Sequence, residues 1–227
     1  MNQAIANIIR NRIEDLSFID KLAGLTSIAT FEIKGKDNTV VQKTVPIACC
    51  VTADDCKEGA YNDLMPDSQY KSVIYFEDKG VTFDRSESNW KYYTSNLRLV
   101  CWLNIEKILG LTCKADNPCT YAARVIADII RHLPGFPLNI FPFDRVYMEV
   151  TDQEVRNASI FSSYTYDEKH AQYLMAPYDY FALNIRTTFG ICMKGVDVSD
   201  ATCLPGSVTA DSTLVTADSD LITVDAT

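Results

Sequence analysis

The chain has 227 residues, is 47% hydrophobic and 22% charged, and carries a net charge of −9. That length suits one globular domain, with or without appendages, and it is enough to bury a core. The acidic balance (pI about 4.7) excludes a protein that grips nucleic acid or an anionic membrane surface, since both need a basic footprint. It does not exclude a wall that faces DNA without holding it.

Asn2 to Leu22 reads as a first helix, capped by Asn2 and ended by Gly24. Ile5, Ile8, Ile9, Ile13, Leu16, Ile19 and Leu22 make its apolar stripe. Arg12 falls inside the stripe, either snorkelling past the core or placed at a subunit contact, with Asp15 three residues on to pair with it. No apolar run approaches the ~20 residues that span a bilayer. Ile5–Ile9 is also too short and too interrupted for a secretory h-region. The expectation is a chain made and kept in a cytosol, with its eight cysteines as free thiols.

Thr26–Ile33 and Thr39–Val51 read as strands around a turn at Gly35–Asn38. Residues 52–70 read as a polar loop. Lys71–Arg85 reads as a second hairpin turning at Glu77-Asp78-Lys79-Gly80. Trp90–Leu103 alternates: Tyr93, Leu97, Leu99, Cys101 and Leu103 share one face, and Trp90, Tyr92, Asn96, Arg98, Val100 and Trp102 share the other. Asn104–Leu111 suggests one helical turn. Asn117 and Pro118 then open a one-sided helix that runs to about Leu133, with Ala122, Val125, Ile126, Ile129, Ile130 and Leu133 on its apolar face. Gly135–Phe143 reads as an aromatic-packed linker, Arg145–Val155 as a strand, and Ala158–Tyr166 as one more.

Tyr178–Met193 is the longest alternating stretch. Phe181, Leu183, Ile185, Phe189 and Ile191 fall on one face, and Tyr180, Ala182, Asn184, Arg186 and Thr188 on the other. At about 3.3 Å per residue it rivals the length of the whole domain, so it is bent or reaches beyond its core. Its Asn184-Ile185-Arg186 echoes Asn96-Leu97-Arg98, which fits matched roles in one sheet.

From Val208 the chain reads VTADSTL, VTADSDL, ITVDAT, a repeat of seven that is neither a coiled coil nor a glycine-bearing calcium repeat. The choice lies between a disordered linker and an extended arm that adds to a neighbour's sheet edge. The fold expected is therefore α+β: a mainly antiparallel sheet of long strands covered by two helices over residues 1–195, with an extended acidic arm over 196–227.

Chemistry-bearing patterns are sparse. His132 borders an apolar helix face, the setting of a structural histidine. His170 lies beside Asp167 and Glu168 with no nucleophile signature. Cys49, Cys50, Cys56, Cys113 and Cys119 lack the paired spacing of a zinc site. The acidic residues of the tail are too regularly strung for a strong cation site. The expectation is no catalysis, no cofactor and no bound metal. The alternative to a purely structural role is a binding module using Trp90, Tyr92, Trp102, Tyr178 and Tyr180 on a sheet face.

The element order, with Leu97-Arg98-Leu99-Val100-Cys101-Trp102-Leu103-Asn104 and Ala176-Pro177-Tyr178-Asp179-Tyr180-Phe181-Ala182-Leu183-Asn184, resembles the tail-terminator and tail-completion proteins of tailed bacteriophages over roughly residues 1–195. The VTADS-type tail resembles tails of proteins from phages of Bacteroides-type hosts, including the crAss-like podophages, and departs from the terminator pattern. The resemblance implies a virion protein made in the host bacterial cytoplasm. It would form a sixfold or twelvefold homo-oligomeric ring in the neck or tail, between portal and other tail proteins, around DNA that passes unbound. The residues expected at subunit contacts are Arg12, Arg98 and Arg186 in the domain, and Val208, Leu214, Val215, Leu221 and Ile222 in the arm.

Overall fold

The computed structural model describes residues 1–34, 40–48, 64–110, 122–133, 138–140, 143–165 and 172–192. The expected turn at 35–38, the Asn117–Pro118 helix start, His170 with its acidic neighbours, the five spaced cysteines and the whole arm lie outside the described residues. So do Val208, Leu214, Val215, Leu221 and Ile222 of the proposed contacts.

The fold is α+β, with a mixed, mostly antiparallel sheet. Its strands are β1 (Lys21–Lys34), β2 (Val40–Ala48), β3 (Ser72–Glu87), β4 (Trp90–Asn104), β5 (Leu138–Ile140), β6 (Phe143–Val155) and β7 (Tyr178–Cys192), and its helices are α1 (Asn2–Ile13), α2 (Ile105–Leu109) and α3 (Ala122–His132). The strands are ordered β2-β1-β3-β4-β7-β6-β5. Only β1 and β3 run parallel; every other neighbour pair is antiparallel.

The alternation of β4 and β7 sorts their side chains as their sequences require. Leu97, Leu99, Cys101, Leu103, Phe181, Leu183, Ile185 and Phe189 join Ile5, Ile9 and Ile13 of α1 and Val125, Ile126 and Ile129 of α3 in one core. Each such buried side chain contributes about 1.5–3 kcal/mol. The N-terminus of α3 is fixed by the buried Asp179, whose Oδ2 accepts the Ala122 N–H at 3.2 Å while its Oδ1 accepts from Arg156 Nε at 2.8 Å. That ion pair raises the affinity of Arg156 for its proton.

Several expectations are corrected. α1 stops at Ile13, and Met1 rather than Asn2 sits at its N-cap. The apolar stripe continues without the helix because two tight turns, Leu16 N–H to Ile13 O and Ile19 N–H to Leu16 O, keep returning Leu16 and Ile19 to the core. Gly24 does not end a helix. It lies inside β1, where a Cβ would come within 3.1 Å of Gln3 and 3.2 Å of Asn7, so its absence lets α1 lie close to the strand.

β3 does not turn at Glu77–Gly80. It runs through, with a bulge between Asp78 and Val81, and Gly80 supplies the positive φ of 95°. The hairpin turns ten residues later than Asp78, at Ser88 and Asn89. The supposed linker contains β5, and Ala158–Phe161 is a 3-10 turn rather than a strand. Cys101 is a buried free thiol, but Cys192 is disulfide-bonded, against the expectation that every cysteine is free.

The second face of the sheet is covered as well, by loops. Leu64 and Met65, with Ile160, Phe161, Tyr164, Tyr173 and Leu174 from the two 3-10 turns and their flanks, pack on Val73, Tyr75, Val100, Trp102, Tyr180 and Ala182. The end of the expected polar loop is thus core. Among the described residues no helix is long and apolar enough to cross a membrane.

Candidate functional site

Two of the central strands, β3 and β4, outlast their cover, whereas β7 stays largely buried as far as Gly190. In β3, Ser72–Phe76 are buried, whereas nearly all of Asp78–Glu87 is exposed. In β4 the half from Leu97 to Asn104 is buried and the half from Trp90 to Thr94 is not. Two polar clusters mark this boundary, one on each face.

On the helix face, Asn2 at the start of α1 donates from Nδ2 to Asp78 Oδ1, and its Oδ1 accepts the Ser95 hydroxyl at 2.6 Å. Asp78 Oδ1 also accepts the Gly80 N–H at 2.7 Å, so the end of the helix and the bulge are held by one carboxylate.

On the loop face the centre is Arg98, 9% exposed. Its Nη2 donates to Glu154 Oε2 at 2.8 Å, and its Nη1 lies 3.5 Å from Glu77 Oε2. Glu77 also accepts from the Tyr164 hydroxyl at 2.6 Å and pairs with Lys79 at 2.8 Å. Glu154 accepts further from Ser159 Oγ and Asn184 Nδ2, at 3.1 Å and 3.3 Å. Burial, reinforced by the bond to Glu77, pushes the Tyr164 hydroxyl well above the ordinary tyrosine range. Both carboxylates are taken up by donors within the subunit. The cluster therefore acts as a clasp that fastens the loop after β6 onto the sheet, rather than as an acid–base pair open to a substrate.

The echo between the two long strands is spatial. Asn96, Leu97 and Arg98 stand in register against Arg186, Ile185 and Asn184, so each asparagine opposes the other strand's arginine. Their fates differ. Arg98 is sealed in the clasp, while Arg186 is about half exposed and lies 3.4 Å from Glu149. Arg12 is exposed near the end of α1 and forms no ion pair with Asp15. His132 is exposed, with Nδ1 2.7 Å from the Asp128 carbonyl of its own helix. The structure thus leaves these three arginines well apart in role, and among the described residues it gathers no group of His, Cys, Asp and Glu fit to hold a metal.

Beyond the boundary the sheet is a platform with aromatic rows on both faces. On the helix side Phe83, Tyr93, Phe189 and Phe143 run across β3, β4, β7 and β6, with successive centroids 5.8, 5.9 and 4.9 Å apart. The row begins in the core at Phe143 and Phe189 and ends in solvent at Phe83, which is 57% exposed. On the loop side the Arg85 guanidinium lies 4.5 Å over Tyr92, and the Tyr92 and Trp90 rings close over Gly190, where a Cβ would meet them at 3.1 and 3.3 Å. Sequence reasoning named Trp90 and Tyr92 but missed Phe83, because the expected turn at Glu77–Gly80 put it on the wrong arm of a shorter hairpin. Trp102 and Tyr180, named with them, are buried beneath the loop layer. No family model matches the chain, and a search of curated proteins finds no match.

Proposed function

We propose that the chain is a structural subunit of a homo-oligomeric ring in the neck or tail of a tailed bacteriophage, seated between portal and tail around the DNA channel. The observation that carries this reading is the platform: two paired strands of 16 and 15 residues, β3 and β4, whose outer halves run past the core, with Phe83 57% exposed at the surface. A monomer gains nothing from holding Phe83 in water, whereas an interface buries such anchors against a neighbour. The net charge of −9 supports the same role, because a negative wall repels DNA phosphates and lets a genome pass. The site would use no cofactor and no membrane.

The binding-module alternative is weakened by burial, since two of its five aromatic residues, Trp102 and Tyr180, pack inside the protein.

The test is the mass of the purified protein by light scattering after size exclusion, followed by electron microscopy of the largest species. A discrete closed ring, weakened by Phe83→Ser, is the expected result. A monomer at every concentration that also ignores portal and tail proteins would sink the proposal.

A further inference from the structure

Among the described residues β5 and the stretch of β6 beyond Val146 each lack a partner on one side, and the β6 stretch is bulged between Val150 and Asp152 and bears Glu149, Asp152 and Glu154. Two further edges, of β1 and β3, open where those strands part, and they are built differently. β1 pairs in parallel with β3 only from Lys21 to Leu25, and then leaves it to pair with β2 from Thr26 to Lys34. At the parting, the Thr26 hydroxyl donates to the Phe76 carbonyl at 2.9 Å and closes the β3 side. Beyond it, β3 has an outer edge at Asp78–Glu87 and β1 has one at Ile28–Lys34.

The β3 edge is blunted. It carries one bulge between Asp78 and Val81 and another between Phe83 and Arg85, and it bears Asp78, Lys79, Asp84, Arg85 and Glu87. Bulges and charge are the devices that stop an edge from taking on another strand.

The β1 edge has no bulge and fewer charged residues, with Glu32 the only one between Ile28 and Ile33. Its ladder with β2 runs through nine consecutive pairs without a shift. On the far side of β2, Thr44 accepts from the Thr165 N–H at 2.8 Å and donates to the Thr165 hydroxyl at 3.1 Å, and Pro46 accepts from the Leu64 N–H at 3.1 Å. The edge of β2 is therefore covered. Because Thr44 directs its backbone away from β1, its register partner Thr30 directs its own away from β2. Ile28 and Glu32, two residues to either side, do the same. Among the described residues nothing meets those backbone groups, and Ile28 beside them is 61% exposed.

We infer that the β1 edge, Ile28–Lys34, receives one seven-residue repeat from the C-terminal arm of a neighbouring subunit as an added strand. This rests on the ring reading above. Three observations select that occupant. The length fits: a seven-residue strand spans about 23 Å, the same as the seven-residue edge Ile28–Lys34. The chemistry fits: the valines and threonines of residues 208–221 favour strands, and an apolar side chain of the arm can cover Ile28, which is 61% exposed at the edge. The connection fits: β7 ends at Cys192, and the fifteen residues from 193 to 207 reach up to about 50 Å when extended, far enough to leave the domain.

A β1-to-β1 pairing of two copies would be isologous and stop at a dimer. An arm given to a different edge is heterologous and propagates into a ring.

The repeat itself sets a rule. Val208, Ala210, Ser212 and Leu214 share one strand face, and so do Val215, Ala217, Ser219 and Leu221. Seven is odd, so these two sets lie on opposite faces of any continuous strand. One edge can thus take one repeat at a time, and either repeat serves.

The experiment uses the full chain, with prolines placed in the arm so that the domain cannot be at fault. Oligomer mass and amide exchange at Ile28, Thr30 and Glu32 are measured for the native chain, for Ala210→Pro, for Ala217→Pro and for the double variant. The expected result is near-native mass and protection in each single variant. The double variant should lose the oligomer and exchange at least roughly tenfold faster at those three amides. A peptide of residues 207–214 added in excess should restore the protection. An oligomer that persists in the double variant with unchanged exchange overturns the arm and leaves the ring standing. A native chain that is monomeric with fast exchange at β1 overturns both. Slow exchange at β1 in a monomer places the arm on its own subunit and overturns donation to a neighbour.

Discussion

The inner and outer halves of β3 and β4 belong to the same strands of one sheet, yet they are different surfaces. In the inner half, Phe76 and Leu99 are sealed between α1, α3 and the loop layer. In the outer half, Phe83 sits in water one sheet position from Tyr93. The β4–β7 ladder runs unbroken through both halves, while β3 loses β1 beyond Phe76 and bulges twice in its outer half. Cover differs as well, and it ends at the Asn2–Asp78–Ser95 cluster on one face and at the Arg98 clasp on the other. A strand that continues past its cover is stable only because it is paired, which leaves its faces available to something else.

The most forceful way to break this comparison is to truncate one aromatic from each half. Phe76→Ala should cost about 4 kcal/mol, the range for a large side chain lost from a packed core. Phe83→Ala should cost less than about 1 kcal/mol, because more than half of its surface is already in water. Urea denaturation of both variants measures the gap, and equal costs would mean that the two halves are one core. Next comes Arg98→Ala, which takes from Glu154 its shortest donor and from Glu77 a guanidinium 3.5 Å away. Removing one partner of a buried pair costs about 3–5 kcal/mol. With the clasp only partly sealed, about 3 kcal/mol is expected, and the Glu77→Gln/Glu154→Gln background should recover much of it.

Titration probes the same boundary more gently. Burial, with a smaller contribution from Asp179, lifts the Cys101 thiol well above its ordinary range, and burial with the Glu77 bond lifts Tyr164. In both cases the folded state holds its proton more tightly than the unfolded state. The stability this provides is complete below the unfolded values of ~8.5 and ~10 and is lost as pH rises through the folded ones. The denaturation midpoint should therefore be flat near neutrality and fall above about pH 9. Each group adds at most about 1.4 kcal/mol per pH unit to the slope. Tyr164→Phe should make the fall above pH 10 shallower; an unchanged slope would show that Tyr164 is not sealed.

The long strands β4 and β7 could be read from the sequence because period-two alternation is a local property and both of their faces are partly apolar. The apolar face of α3 was equally plain, and the matched Asn-Leu-Arg and Asn-Ile-Arg triplets do face each other. What could not be read was set by partners distant in sequence. α1 ends early because β1 needs the next stretch, and a stripe stepping by turns of three imitates a helical one. Gly80 looks like a hairpin turn because a bulge and a turn both need positive φ. The loop layer was hidden because Leu64, Ile160 and Tyr164 come from segments with no period at all. The platform was partly visible as excess strand length, but the sequence alone could not show where its cover would stop. Gly80→Ala tests one of these points: with open space around it, the only penalty is backbone strain, about 1 kcal/mol. A neutral result would mean that the bulge tolerates a side chain at that φ.

The smallest expected effect is the most informative about assembly. Arg98 and Arg186 occupy equivalent places in the paired triplets, but only Arg98 is enclosed. The Arg186–Glu149 pair spans 3.4 Å with both side chains roughly half exposed. Exposed pairs of this kind contribute little, so Arg186→Ala should change the stability of the isolated subunit by less than about 0.5 kcal/mol. If Arg186 serves a neighbouring subunit, the same substitution should lower the mass or salt resistance of the oligomer while the unfolding curve of the dissociated subunit stays where it was. An arginine that matters to neither would return the outer half to the status of ordinary surface. One that matters to assembly alone would separate what the inner half does, which is hold the fold, from what the outer half does for its neighbours.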